Sequence, residues 1–310
     1  MASQQATQFA EFLAKLQTRS SDPNLDLPAT RDIIESIHVA TKEPEDVSYA
    51  EVNAGGVEAL WCIPTGSDEH SALLHSHMGG TVVASMHSDR KAAAHIAKAA
   101  GVRSLVLNYR RSPEFKFPAQ NDDVDTAYRW LLDQGYGPSN IASVGHSIGG
   151  NFAISLALRL RDANTALPGA IVSISPWIDL TLTNPTIDGN SKTDKLLSRG
   201  LLETFRSLWL DDTGVQWNDA RVNLLNADLS GLPATAIYWG ADEVLAGEAE
   251  QLAQRFQQAG NDVLVRSVPA GQHSFIVAAG RVPEVDQAIN EMGQWLRAKL
   301  GLAQLAATGT

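Results

Sequence analysis

Apolar positions recur along this chain in two rhythms, helical and strand-like, and the order in which they alternate predicts its architecture. Phe9, Phe12, Leu13 and Leu16 share one helical face within QFAEFLAKLQ (8–17). Two prolines and several turn formers between Ser20 and Asp32 then interrupt the pattern, so this first helix reads as an accessory piece. Two short β-like runs follow, VSYAEV (47–52) and VEALWC (57–62). Asn53-Ala54-Gly55-Gly56 parts them, a turn suited to a hairpin.

From there the chain alternates strand and helix. SALLHSH (71–77) and SLVLNY (104–109) flank an alanine-rich helix over about 88–100. A helix over about 121–132 precedes the strand IASVG (141–145), and a helix over 149–162 leads to AIVSIS (170–175). TAIYW (235–239), a helix over 248–259, VLVRSV (263–268) and a last helix near 284–299 complete the series. Strands separated by helices of this length predict a mostly parallel α/β sheet covered on both faces, with right-handed crossovers.

One interval lacks the rhythm. Between Trp177 and Ala234 there is no sheet strand, only polar turns and a helix around LLSRGLLETFRSLWL (196–210). It reads as an insertion over the carboxyl ends of the strands, forming a cap with the N-terminal helix. The organisation expected is a cap segment at 1–40, a catalytic core at 41–180, a cap insertion at 181–225 and the rest of the core at 226–310. The small, polar tail LAQLAATGT is expected to fray.

Composition narrows the function. The chain has 310 residues, 44% of them hydrophobic and 19% charged, enough for a large core and unlike a disordered segment. A formal charge of -11 would repel phosphate backbones, which argues against nucleic acid as a partner. The one cysteine, Cys62, lies in an apolar run and reads as core packing; no disulfide and no structural zinc site follow from it. No basic start with an apolar run opens the chain, and nowhere do about 18 apolar residues stand together, so no signal peptide, no membrane span and a cytoplasmic location are expected.

The chemistry begins at Gly145-His146-Ser147-Ile148-Gly149, which fits G-x-S-x-G between a strand and a helix. A sharp turn there lifts the serine above the sheet, and glycines let backbones approach where a Cβ would collide. The helix start adds unpaired N–H groups and positive partial charge. Alone, the motif could be an N-capping serine beside a tight turn; its strand and helix favour a nucleophile.

Upstream, Ser76-His77-Met78-Gly79-Gly80 follows a strand directly. An attacked carbonyl becomes an oxyanion that needs donors already in place. The backbone N–H groups of Gly79, Gly80 and Ile148 are the candidates, with His77 bracing the loop. An ordinary glycine turn would look the same without the serine downstream. The serine needs a base, and His273 in PAGQHSF is the one histidine after it. The chain order Ser, acid, His places the acid between them. Asp242, just after TAIYW, is the first choice, and its neighbour Glu243 is the residue most able to replace it. Asp179 in SPWIDL also ends a strand but reads as a structural anchor or pocket wall.

Together these residues resemble the hormone-sensitive lipase family of α/β-hydrolases, the bacterial group IV esterases. The likeness runs from about Ala72 to Trp295. HMGG (77–80) resembles the family's H-G-G-G loop, with Met78 for a glycine. NYRRSPEFKFPAQNDDVDTAYRWL (108–131) resembles its Y-R-x-x-P-E…F-P-A…D segment, and GHSIGG (145–150) its G-D-S-A-G-G, with His146 and Ile148 substituted. SPWIDL, GADEVL and GQHSF continue the series in order. The resemblance implies an α/β-hydrolase fold with a mostly parallel eight-stranded sheet and a helical cap. It also implies cofactor-free, metal-free hydrolysis of short- or medium-chain carboxylic esters through a serine acyl-enzyme.

Met78, His146 and Ile148 enlarge the side chains beside the reaction centre, which puts the usual substrate range in question. His146 is expected to point away from the serine. Met78, His146, Met86, Leu201, Phe205 and Trp209 are pocket candidates, near Phe9 and Phe12, although the apolar face of 201–209 would also serve to pack the cap on the body. A lactone is the nearest alternative substrate. A silent binding module of the kind that plant gibberellin receptors make from this family is the alternative of another class, and the complete Ser, acid and His set argues against it. A homodimer through a terminal helix or a sheet edge is compatible with the pattern.

Overall fold

A computed structural model describes residues 2–303 of the chain. The N-terminal part forms α1 (Gln4–Ser20) and α2 (Leu27–Glu35), followed by a 3-10 turn at Ser36–Ala40. The body comprises β1 (Val47–Ala54), β2 (Val57–Pro64), β3 (Asp68–Ser76), α3 (Met86–Ala100), β4 (Val102–Leu107), α4 (Ala119–Asp133), β5 (Ile141–His146), α5 (Ile148–Asp162) and β6 (Ala170–Ile174). Two helices, α6 (Thr186–Gly189) and α7 (Arg199–Leu210), come before β7 (Thr235–Gly240), α8 (Ala246–Gln258), β8 (Val263–Val268) and α9 (Pro283–Lys299).

The eight strands form one sheet in the order β1-β2-β4-β3-β5-β6-β7-β8. β2 runs antiparallel to both β1 and β4, and every other pairing is parallel. This is an α/β-hydrolase fold with a helical cap region. Its central strands are buried on both faces, as the unbroken apolar character of a covered parallel sheet requires. α3 packs on α9 and over β2 and β4, α5 lies on β5 and β6 with α4 beside it, and α8 lies on β7. Cys62 is buried beside Leu60 and Met86. No helix among the described residues is long and apolar enough to cross a membrane.

The strands and long helices fall where the periodicity places them. The difference lies in α2, where two prolines and turn formers read as a break. Asp26 caps this helix by accepting from the Ala29 N–H at 2.9 Å, and Pro28 occupies the first turn, where its missing N–H costs nothing. Arg31 then docks α2 on the body. It makes paired bonds of 2.6 and 2.7 Å to Glu114 and donates to the carbonyls of Val82 and Ser112. Hydrogen bonding to Arg31 holds the Glu114 carboxyl down at about 2. The tail expectation for residues 304–310 falls outside the described residues.

Candidate active site

The turn between β5 and α5 carries Ser147 at φ 58° and ψ -121°, a backbone conformation that L-residues rarely adopt. It persists because its surroundings hold it. The Ser147 N–H donates to the Ile174 carbonyl at 2.8 Å, and its own carbonyl accepts from Gly150 and Trp177. A Cβ on Gly149 would lie 2.0 Å from the Ser76 carbonyl oxygen, so only glycine lets the start of α5 pass so close to the end of β3.

His273 lies in the loop after β8. Its Nε2 is 3.0 Å from Ser147 Oγ, and both residues are almost wholly buried. Its Nδ1 faces Glu243, with Oε2 at 3.5 Å. Asp242, the first choice from the sequence, is not the carboxylate facing His273. β7 ends at Gly240 and the chain turns at once, so neighbouring side chains diverge. The Asp242 N–H is bound to the Gly271 carbonyl and its carbonyl accepts from Thr193. The Glu243 side chain instead turns inward, is fully buried, and accepts from Ser175 Oγ at 2.7 Å. Burial pushes its carboxyl up from the usual value, and the His273 imidazole works against that rise.

Asp194 was not anticipated from the sequence. It accepts from the N–H groups of Leu196, Leu197 and Val244, so it anchors the loop after β7 to the cap segment. Asp179 accepts from Thr181, Thr183 and Asn223 and lies away from His273's contacts, as an anchor for the chain leaving β6.

Gly79 and Gly80 follow β3 with φ of 112° and 59°. Among the described residues, neither N–H donates to a protein group. Ile148 is the first residue of α5, so its N–H has no intrahelical partner. His77 lies beneath this loop, stacked on Tyr109 with ring centres 4.0 Å apart, and its Nδ1–H reaches the Met78 carbonyl. Burial lowers its pKa to about 4.

The unfolded His77 takes up a proton below about 6.5, whereas the folded one stays neutral to about 4. It therefore stabilises the fold fully above the upper value and less and less as pH falls to the lower. In urea unfolding at pH 7.5 and 4.5, the wild type should lose about 2 to 3 kcal/mol more than His77→Asn, whose amide nitrogen replaces Nδ1 without titrating. Equal losses would show that His77 does not carry this acid sensitivity.

A cavity of about 40 Å³ opens over Ser147 and His273. Its walls are Ile34 and Ile37 from the N-terminal segment, Met78 to Gly80 and Val83 from the loop after β3, Trp177, and Leu196, Leu197, Leu201, Leu202 and Phe205 from the cap. Phe205 lies against Gly80 so closely that a Cβ there would come within 2.1 Å of its ring. Three of the pocket candidates, Met78, Leu201 and Phe205, are among these walls.

The other three are not. His146 is buried below the turn against Asp89, because the last residue of β5 points opposite to Ser147, which follows it. Met86 begins α3 and fills a separate cluster with Leu60 and Cys62. Trp209 faces the body, packs on Phe117 and Phe152 and donates to Gln120 Oε1 at 3.0 Å. Phe9 and Phe12 line a different surface groove with Val39 and Val282. Ile34 and Ile37 escaped notice because they follow the stretch read as turns; the Asp26-Leu27-Pro28 capping signal could have revealed them. Among the described residues, no group of three or more His, Cys, Asp or Glu is placed to hold a metal ion.

A strained serine between a strand and a helix, an imidazole on its hydroxyl and a buried carboxylate behind that imidazole define the arrangement used for acyl transfer on this fold. A family model described as the alpha/beta hydrolase fold matches residues 73–277. An acetyl-hydrolase of Streptomyces hygroscopicus is 35% identical over 253 residues, 81% of this chain and 83% of its own. An esterase of Acinetobacter venetianus is 28% identical over 93% of this chain and 94% of its own. The crystal structure of an esterase from the bacterial hormone-sensitive lipase family superposes with a TM-score of 0.92 at 32% identity, covering 97% of this chain and all of the other. The chain belongs to the bacterial hormone-sensitive lipase family of α/β-hydrolase esterases, and general carboxylic ester hydrolysis goes with that membership.

Proposed function

We propose that this protein hydrolyses compact short-chain carboxylic esters through an acyl-enzyme on Ser147, with His273 as base and Glu243 as the acid that orients it. The observation that carries this reading is the 3.0 Å approach of His273 Nε2 to Ser147 Oγ at the wall of a small apolar cavity. As Ser147 Oγ bonds to the ester carbonyl carbon, His273 takes its proton. The carbonyl π electrons move to oxygen, and the N–H groups of Gly79, Gly80 and Ile148 receive the oxyanion. Collapse breaks the bond to the alcohol oxygen, which leaves with the proton from His273. Water then attacks the acyl-enzyme by the same route and releases the acid. Glu243 holds the Nδ1–H tautomer and stabilises the imidazolium; its 3.5 Å separation shortens once the ring is charged, as charge-assisted bonds do.

The cavity favours small acyl groups. Its volume of about 40 Å³ is far below the roughly 300–1,000 Å³ of sites for drug-sized ligands. In a series of p-nitrophenyl esters, kcat/KM should be highest from acetate to butyrate and at least about 100-fold lower for decanoate, equivalent to about 3 kcal/mol of lost fit. Leu201→Ala, which trims a half-buried wall, should move the optimum to longer chains. A flat chain-length profile would sink the size argument. A fluorophosphonate that fails to add its mass at Ser147 would sink the acyl-enzyme.

A further inference from the structure

The carboxylate of Asp89 is buried beneath the reaction centre, outside the proton path from Ser147 through His273 to Glu243. It sits in the first turn of α3, where the helix start favours negative charge. One oxygen, Oδ2, gathers three donors from three places. They are His75 Nε2 on β3 at 3.1 Å, His146 Nδ1 at the end of β5 at 3.1 Å, and the Met78 N–H at 3.3 Å. Met78 directly precedes Gly79, and His146 directly precedes Ser147. No side chain besides Asp89 bonds to both the oxyanion loop and the nucleophile turn among the described residues.

We propose that Asp89 is a positioning residue that sets the oxyanion loop against the nucleophile turn, with His146 as its link to Ser147. The idea rests on the acyl-enzyme reading above. Burial opposes the Asp89 charge, but the His146 and His75 imidazoles outweigh it and hold the carboxyl below its ordinary value. Burial lowers the pKa of His146, and the Asp89 carboxylate works against that fall. All three residues are fully buried, so each bond lies out of reach of competing water. Donors misplaced by a fraction of an ångström lose transition-state binding while leaving ground-state binding almost untouched.

The test compares p-nitrophenyl butyrate kinetics with the affinity of a short alkyl trifluoromethyl ketone, which forms an oxyanion-bearing adduct on serine. Asp89→Asn should lower kcat roughly 10- to 100-fold and weaken the ketone by a similar factor, with KM within about threefold. His146→Asn, whose amide nitrogen can replace Nδ1, should retain more kcat than His146→Leu. Thermal unfolding of each variant reports the folded fraction. Unchanged kcat and ketone affinity in folded Asp89→Asn would overturn the assignment, as would equal losses in the two His146 variants. A wild type that neither turns over the ester nor binds the ketone would instead overturn the acyl-enzyme reading, and this inference with it.

Discussion

Ser147→Ala should lower kcat on p-nitrophenyl butyrate on the order of 10⁵-fold, leaving only what the remaining donors and the pocket supply. The loss is this large because no other hydroxyl can take the serine's place. The turn that strains Ser147 to φ 58° holds it at the end of β5, and His273 Nε2 points at its oxygen. Alanine keeps the Cβ and loses only Oγ, whose one hydrogen bond among the described residues is to His273, so circular dichroism and thermal unfolding should stay close to wild type. Purified variant retaining more than about 1% of wild-type kcat would contradict Ser147 as nucleophile.

The second large effect separates two neighbouring carboxylates. Glu243→Gln should cost roughly 10⁴-fold in kcat, the scale known for replacing a triad acid by its amide. An amide opposite Nδ1 can present its NH₂, which stabilises the wrong imidazole tautomer and cannot balance the imidazolium. Asp242→Asn should change kcat by less than about threefold, because its side chain makes no hydrogen bond among the described residues and the turn is held through its backbone. Both variants keep side-chain volume, so differences in folding should be small. The reverse ranking would return the acid to Asp242 and require the turn after β7 to be arranged differently from that seen.

These two variants also mark the boundary between what the chain order reveals and what it hides. That Ser147 and His273 come together could be read directly, because the strand-turn-helix context selects one serine and only one histidine follows it, and the two lie 3.0 Å apart. For the acid, the chain order favours Asp242 over its neighbour, whereas the carboxylate that faces His273 is that of Glu243. Which one turns inward depends on the turn after Gly240 and on Ser175, which approaches from the end of β6 and binds Glu243. Periodicity has no access to that contact, since Ser175 and Glu243 lie far apart in the chain.

The pocket divides in the same way. Met78, Leu201 and Phe205 stand beside recognisable motifs or on an apolar helical face, and all three reach the cavity. Trp209 shares that face with Phe205 but turns toward Phe117 and Phe152, because the crossing of α7 over the body decides which side of it sees the serine. Ile34 and Ile37 were hidden behind two prolines, of which Pro23 lies in the turn and Pro28 opens a capped helix.

Alternating hydrophobic rhythms by themselves determined the eight strands and the long helices, because burial on a sheet or a helix face leaves a periodic trace in neighbouring residues, and the G-x-S-x-G motif placed Ser147 at the turn between a strand and a helix. The tertiary structure alone decided which carboxylate meets the imidazole, which side chains line the cavity, and that Asp89 joins two loops. Those outcomes depend on contacts of about 3 Å between distant segments, which only the packed chain brings together.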